Sequence, residues 1–330
     1  MEWVTPPELR GGLLVAIITG GRKELKERPT RNWLAGLREY GVNDVVWVMN
    51  ERHAAEYETD EFPIVAYPES WAYEYAAEHW MHLDPPEPGG FLGAFPGREW
   101  ACREAEKRGC WGVMQLDDNI IRLAVPRTSG AGGAVVRRHG GMSLYADLLS
   151  AVVHSTNGRS VGASLGSVPK ISRQIARPGF PYSLFIERVG KGREPWFGPF
   201  EDDITHAYQY GTRGDGATSL LVPLLRYSKE SASTSGMRGK YDATRAVQLQ
   251  RIFPESAKIG VRKTHSNGRG RPRVFHTMLN DAIRNPLVVR DAEMFDAVKL
   301  RLEALLKDWQ AEQLASNRAK VYKRTAGRAR

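Results

Sequence analysis

The chain is 330 residues long and 42% of them are apolar, enough to build one large α/β domain or two smaller ones around a sizeable core. Two cysteines supply neither a disulfide framework nor a zinc-ligand set, the N-terminus has no basic region before an apolar stretch, and no apolar run nears the roughly 18–20 residues that span a bilayer. A soluble, intracellular, cytoplasmic protein is expected, and its net charge of +9 favours a polyanionic partner.

In chain order, residues 13–18 form a continuous apolar run closed by Thr19-Gly20-Gly21-Arg22, which predicts a buried parallel strand and a glycine turn. Residues 30–40 place Trp33, Leu34, Leu37 and Tyr40 on one helical face, and residues 44–50 read as a second buried strand. A β-α-β unit is therefore expected within the first fifty residues, with a short third strand at 64–67. Pro and Gly mark 82–97 as a loop, a helix is expected over 100–108, and an apolar strand over 111–116 runs into Asp117-Asp118-Asn119.

The five glycines of 130–141 predict a mobile or tightly turned loop. Beyond it, helices are expected at 144–154, 204–210, 240–253 and 291–315, and strands at 160–168, 183–188 and 220–227. Two basic blocks contain no acid. One holds Lys258, Arg262, Lys263, Arg269, Arg271 and Arg273, and suits nucleic-acid phosphates; the other, 318–330, reads as a solvated tail.

Four elements carry candidate chemistry. Gly20 and Gly21 let backbone approach a ligand, and Arg22 suits a phosphate or base. Gly97-Arg98 opens the helix before the acidic strand, where a helix N-terminus suits an anion. Acids at the carboxyl end of a buried strand, Asp117-Asp118-Asn119, sit where open α/β sheets bind ligands and suit Mg²⁺ or Mn²⁺ shared with substrate phosphates. Glu201-Asp202-Asp203 beside aromatic residues suits a general base or, alternatively, a helix N-cap.

This ordering resembles the GT-A family of nucleotide-sugar glycosyltransferases, from the Gly97-Arg98 to Asp117-Asp118-Asn119 block through Gly198-Pro199-Phe200-Glu201-Asp202-Asp203. Asn119 departs from the pattern, which usually has a second Asp there. With the basic charge and no membrane segment, the chain looks most like the phage glycosyltransferases associated with TET/JBP oxygenases, which are related to the glucosyltransferase that makes base J.

The resemblance implies a GT-A-like α/β domain over 10–280, with a nucleotide-sugar half (10–125) and an acceptor half (126–280). Its sheet would be Rossmann-like, mostly parallel and mixed, flanked by helices. A helical extension (281–317) and a basic, disordered tail (318–330) would follow. It implies a UDP-sugar donor, glucose in the first place, and a hydroxymethylated pyrimidine of DNA as acceptor, flipped out of the duplex. Thr19, Gly20, Arg22, Arg98, Asp117, Asp118, Arg238 and Lys240 would bind the nucleotide sugar, and Asp117, Asn119 and His265, or His276 in its place, the divalent metal. Asp202, or else Glu201, would be the base of an inverting transfer, and the six cations of 258–273 would contact DNA. Two other readings stay open: a metal-dependent nucleotidyl- or phosphoryl-transfer enzyme, and a non-catalytic DNA-binding protein.

Overall fold

The computed structural model describes residues 2–20, 29–57, 62–82, 85–87, 89–125, 130–166, 174–199, 201–230, 250–254, 257–263, 272–278 and 285–326. The first half reads α1 (Pro7–Arg10), β1 (Leu13–Ile18), α2 (Leu37–Tyr40), β2 (Val45–Asn50), β3 (Ile64–Tyr67), α3 (Glu69–His79), α4 (Phe95–Lys107), β4 (Gly112–Asp117) and β5 (Ile120–Ala124). Then follow α5 (Gly130–Arg138), α6 (Met142–Ser155), β6 (Gly158–Leu165), β7 (Arg177–Pro178), β8 (Leu184–Arg188), α7 (Asp202–Gly211), β9 (Thr218–Lys229), β10 (Ala257–Lys263), β11 (Pro272–Met278) and α8 (Ala292–Ala326).

The main sheet runs β3-β2-β1-β4-β8-β6-β9-β5, with β7 paired to β9. β1 to β4 are parallel; β8 is antiparallel to β4 and β6, and β5 to β9. The fold is thus a Rossmann-like α/β domain whose mixed, mostly parallel sheet is flanked by helices and followed by a long C-terminal helix.

The apolar run of β1 is continuous because both faces of the sheet are covered. Leu13, Val15 and Ile17 enter one core with α6 and α8, while Leu14, Ala16 and Ile18 enter the other with α3 and α4. Side chains alternate across a strand, so one run of six serves both layers. The register pairs Ile18 with Asp117, which brings the carboxyl ends of β1 and β4 level.

Three expectations are corrected. The glycine-rich stretch 130–141 is not a loop: α5 spans Gly130–Arg138 and buries Val135 and Val136, so tertiary packing overrides the glycine penalty. The helix expected over 30–40 is instead a 3₁₀ turn, Pro29–Trp33, and the short α2, because Gly36 at φ 89° breaks the helical path between them. The tail expected to be disordered is helical as far as Ala326; no Gly or Pro interrupts 318–326, so α8 propagates through it. Val298, Leu302 and Leu305 are the buried face of α8, and His139–Asp308 and Arg138–Glu312 tie it to α5.

Most of the helix expected at 240–253 lies outside the described residues, and α3 and β5 were not anticipated. Among the described residues no helix is long and apolar enough to cross a membrane.

Candidate active site

The chain leaves β4 at Asp117 and turns at once into β5. Thr30 clamps that turn: its Oγ1 donates to the Asp117 carbonyl at 2.7 Å and accepts from the Ile120 N–H at 2.9 Å. Asp117 is thereby fixed at the strand end, where both of its carboxylate oxygens meet cations. Arg98 Nη2 donates to Oδ1 at 3.0 Å, and Lys229 Nζ, at the end of β9, donates to Oδ2 at 3.0 Å. Lys229 Nζ also donates to Ser183 Oγ at 2.7 Å.

Arg98 sits in the first turn of α4, beside Gly97. A Cβ on Gly97 would stand 3.2 Å from Ile18 Cγ2, so glycine lets the helix close onto β1 and brings Arg98 over the strand ends. Only 3% exposed, Arg98 also donates from Nε to Asp202 Oδ2 at 2.8 Å, and its guanidinium lies over the rings of Phe185 and Trp196. One arginine therefore joins two acidic motifs that are far apart in sequence. Burial opposes its charge, but Asp202, Asp117 and Asp203 outweigh burial and hold the guanidinium ionised. Its Nη1 is buried with no hydrogen-bond partner.

In the second acidic motif, Glu201 is the residue before α7, at φ 61°. A non-glycine residue there costs about 1–3 kcal/mol and is held by its surroundings. Asp203 is not the N-cap that the sequence suggested. The helix already includes Asp202, and Asp203 Oδ1 accepts the N–H of Ile204 at 2.8 Å. Burial first, then repulsion from Asp202, pushes the Asp203 carboxyl up to about 7, against the opposing pull of Arg98 and Lys229. That proton affinity suits a general base near neutral pH.

Behind Arg98, Trp196 stacks on His206 and donates from Nε1 to Glu187, a fully buried carboxylate. Glu187 also accepts from His206 Nε2 at 2.6 Å and Tyr210 Oη at 2.8 Å. Burial raises its pKa, but His206 foremost outweighs burial and holds it below the ordinary value. This network pins α7 to β8 and so positions Asp202 and Asp203.

The remaining expected ligands divide. Thr19 and Asp118 are drawn into the fold: Thr19 Oγ1 donates to Asp118 Oδ2 at 2.7 Å and lies 2.6 Å from Tyr57 Oη, and Asp118 is 1% exposed. Asn119 Nδ2 donates to the Glu230 carbonyl, while its Oδ1 is buried with no hydrogen-bond partner. Gly20 lines a depression at the carboxyl ends of β1–β3 with Asn50, Arg52, Tyr67, Tyr73 and Phe91. Arg22, Arg238, Lys240, His265, Arg269 and Arg271 lie outside the described residues.

Lys258, Arg262, Lys263 and Arg273 belong to a separate antiparallel pair, β10–β11, in which Arg262 is in register with Arg273 and His276 with Ile259. That hairpin was not anticipated. Sequence reasoning also missed Lys229, Ser183, Thr30 and Asn50. Only Asn50 carried a signal, since it closes β2 as Thr19 follows β1.

Among the described residues no three His, Cys, Asp or Glu side chains converge as a metal cage. A Mg²⁺-type ion needs none, since it takes one or two protein oxygens plus substrate phosphates and water. The Asp117 carboxylate and the orphaned Asn119 Oδ1 fit that smaller requirement, provided Lys229 gives way.

No family model matches the chain, and no curated protein matches it. A solved structure, described as that of a mycobacterial protein, is similar at a TM-score of 0.46 and 10% identity over 86% of this chain and 93% of that one, a likeness too slight to carry an argument.

Proposed function

We propose that the protein is a glycosyltransferase that moves a sugar from a nucleoside diphosphate donor to an acceptor hydroxyl at the carboxyl ends of β1 and β4. The observation that carries this reading is the Arg98 bridge, 3.0 Å to Asp117 and 2.8 Å to Asp202, which gathers a donor-side acid and an acceptor-side acid around one buried cation. Ligands of open α/β sheets bind at this edge.

The nucleoside would lie in the depression lined by Gly20, Asn50, Tyr67 and Phe91, and its diphosphate would extend toward Arg98 and Lys229. The unpartnered Nη1 of Arg98 supports an oxyanion contact there. A divalent ion, held by Asp117 and Asn119 together with the diphosphate, would neutralise charge on the leaving group. Arg98 and Lys229 contribute positive charge to the same place. Asp203, rather than Asp202 or Glu201, would take the proton of the acceptor hydroxyl, while Asp202 holds Arg98 in position. A base opposite the leaving group gives inversion.

The finer reading is a UDP-sugar donor, glucose in the first place, and a hydroxymethylated pyrimidine in DNA. It is supported by the charge of +9 and by Lys258, Arg262, Lys263 and Arg273 on the β10–β11 hairpin. Calorimetry of UDP and UDP-glucose with Mn²⁺ tests the donor site. Asp117→Asn should weaken donor binding at least tenfold without loss of helical signal by circular dichroism. Undiminished binding in that variant would remove Asp117 from the site.

A further inference from the structure

On the opposite edge of the sheet, where β8 ends and β6 and β9 begin, lies a cleft of about 320 Å³. It is lined by Arg159, Arg188, Lys191, Arg213 and Arg290, and Asp215 is the one acid among its lining residues. β8 runs from beside Ser183, at the Asp117 site, to Arg188, five residues or about 17 Å of strand away. The cleft is therefore a separate place on the molecule.

Arg213 is accounted for by the fold, through Glu194 at 2.9 Å and Asp215. Arg159 and Arg188 form no ion pair among the described residues. Arg188 Nη2 donates to His154 Nδ1 at 3.0 Å, and Arg159 Nη2 to the Lys191 carbonyl at 2.8 Å. Arg159 Nε is buried with no hydrogen-bond partner. Burial, then repulsion from Arg159 and Arg290, pulls the Arg188 pKa below its ordinary value. Burial, then Arg188, holds the His154 imidazole down at about 4, so it stays neutral near pH 7 and can accept the Arg188 hydrogen bond. Arg159, Arg188, Lys191 and Arg290 are thus gathered around a single acid, Asp215, which Arg213 already engages, and guanidinium forks match phosphate oxygens in pairs.

We infer that this cleft binds a phosphate group, held by Arg159, Arg188 and Arg290, independently of the Asp117 site and of the function proposed for it. The phosphate comes from a free small phosphate or from a phosphodiester backbone, and the test separates them.

The full chain is titrated with inorganic phosphate and, separately, with a short single-stranded oligonucleotide, both at low salt with a chelator present. Arg188→Gln and Arg290→Gln should each weaken phosphate binding roughly ten- to a hundredfold, the worth of one charge-assisted contact. Arg290 is exposed, so its variant tests the site even if Arg188→Gln fails to fold. Bound phosphate should also raise the His154 titration midpoint, read by NMR. Phosphate binding that competes with a tighter, equally Arg-dependent oligonucleotide assigns the backbone; phosphate binding with no oligonucleotide binding assigns a free phosphate. Equal phosphate affinity in the wild type and Arg290→Gln, with His154 unmoved, would overturn the inference.

Discussion

Lys229 Nζ lies 3.0 Å from Asp117 Oδ2, so the acid that the sequence marks as a metal ligand already holds a cation. A divalent ion binding that oxygen must displace the ammonium or bear its repulsion. Lys229→Met is therefore expected to tighten Mn²⁺ binding, measured by electron paramagnetic resonance in the presence of UDP, by about tenfold, which corresponds to 1.4 kcal/mol. Unchanged or weaker Mn²⁺ binding would place the ion off Asp117.

Arg98 is the common partner of Asp117 and Asp202 in a nearly dry setting, with a side chain only 4% exposed. Arg98→Met removes one partner of a buried charge set and should cost about 3–5 kcal/mol in urea unfolding. Arg98→Lys keeps the charge but has no fork to span both acids, so it should recover only part of that loss. A cost under about 1 kcal/mol for Arg98→Met would mean that the bridge does not hold the two motifs together.

Asp203 gives a pH dependence with a definite sign. Its folded pKa, about 7, is raised from an ordinary 3.8, so the folded state binds the proton more tightly than the unfolded chain. The stability this contributes is complete below pH 3.8 and is lost as pH rises through 7. Asp203→Asn should therefore raise the melting temperature at pH 8, by roughly 2 °C or more, and flatten the stability profile between those values. The same variant should lower turnover by roughly 10²–10⁴. A variant less stable than wild type at pH 8 would show that the carboxylate is stabilised rather than strained there.

Glu187 has the opposite sign. Its pKa is held below the ordinary 4.5, so its contribution is present above that value and is lost as pH falls through the lower folded one. Glu187→Gln sets an amide against the donors of His206, Tyr210 and Trp196 and should cost about 3–5 kcal/mol at pH 7. Part of the fall in stability below pH 4.5 should vanish with it. An unaltered acid limb would assign acid sensitivity to other carboxylates.

The parallel half of the fold was legible because β1, β2 and β4 are buried on both faces and so read as unbroken apolar runs. Helix α5 was not, because its glycines outweigh the two buried valines in any local reading, and only packing against β5 and α8 decides the matter. The site divides in the same way. Asp117, Arg98 and Asp202 stand at strand and helix ends, where position alone makes them candidates. Lys229, Ser183 and Thr30 reach Asp117 through long-range pairing, which leaves no spacing in the chain to notice. Asp118 was expected to bind the nucleotide sugar beside Asp117, but the turn after β4 sends its carboxylate to Thr19, inside the fold.

Incubation of the protein with UDP-glucose, Mn²⁺ and DNA carrying hydroxymethylated pyrimidines, followed by mass spectrometry of the released nucleosides, tests glycosyl transfer most directly. Hexosylated nucleoside should form with the wild type, fall by roughly 10²–10⁴ with Asp203→Asn, and fail to form with Asp117→Asn. No hexosylated nucleoside with the wild type across a panel of nucleotide sugars, or undiminished product with Asp117→Asn, would contradict it.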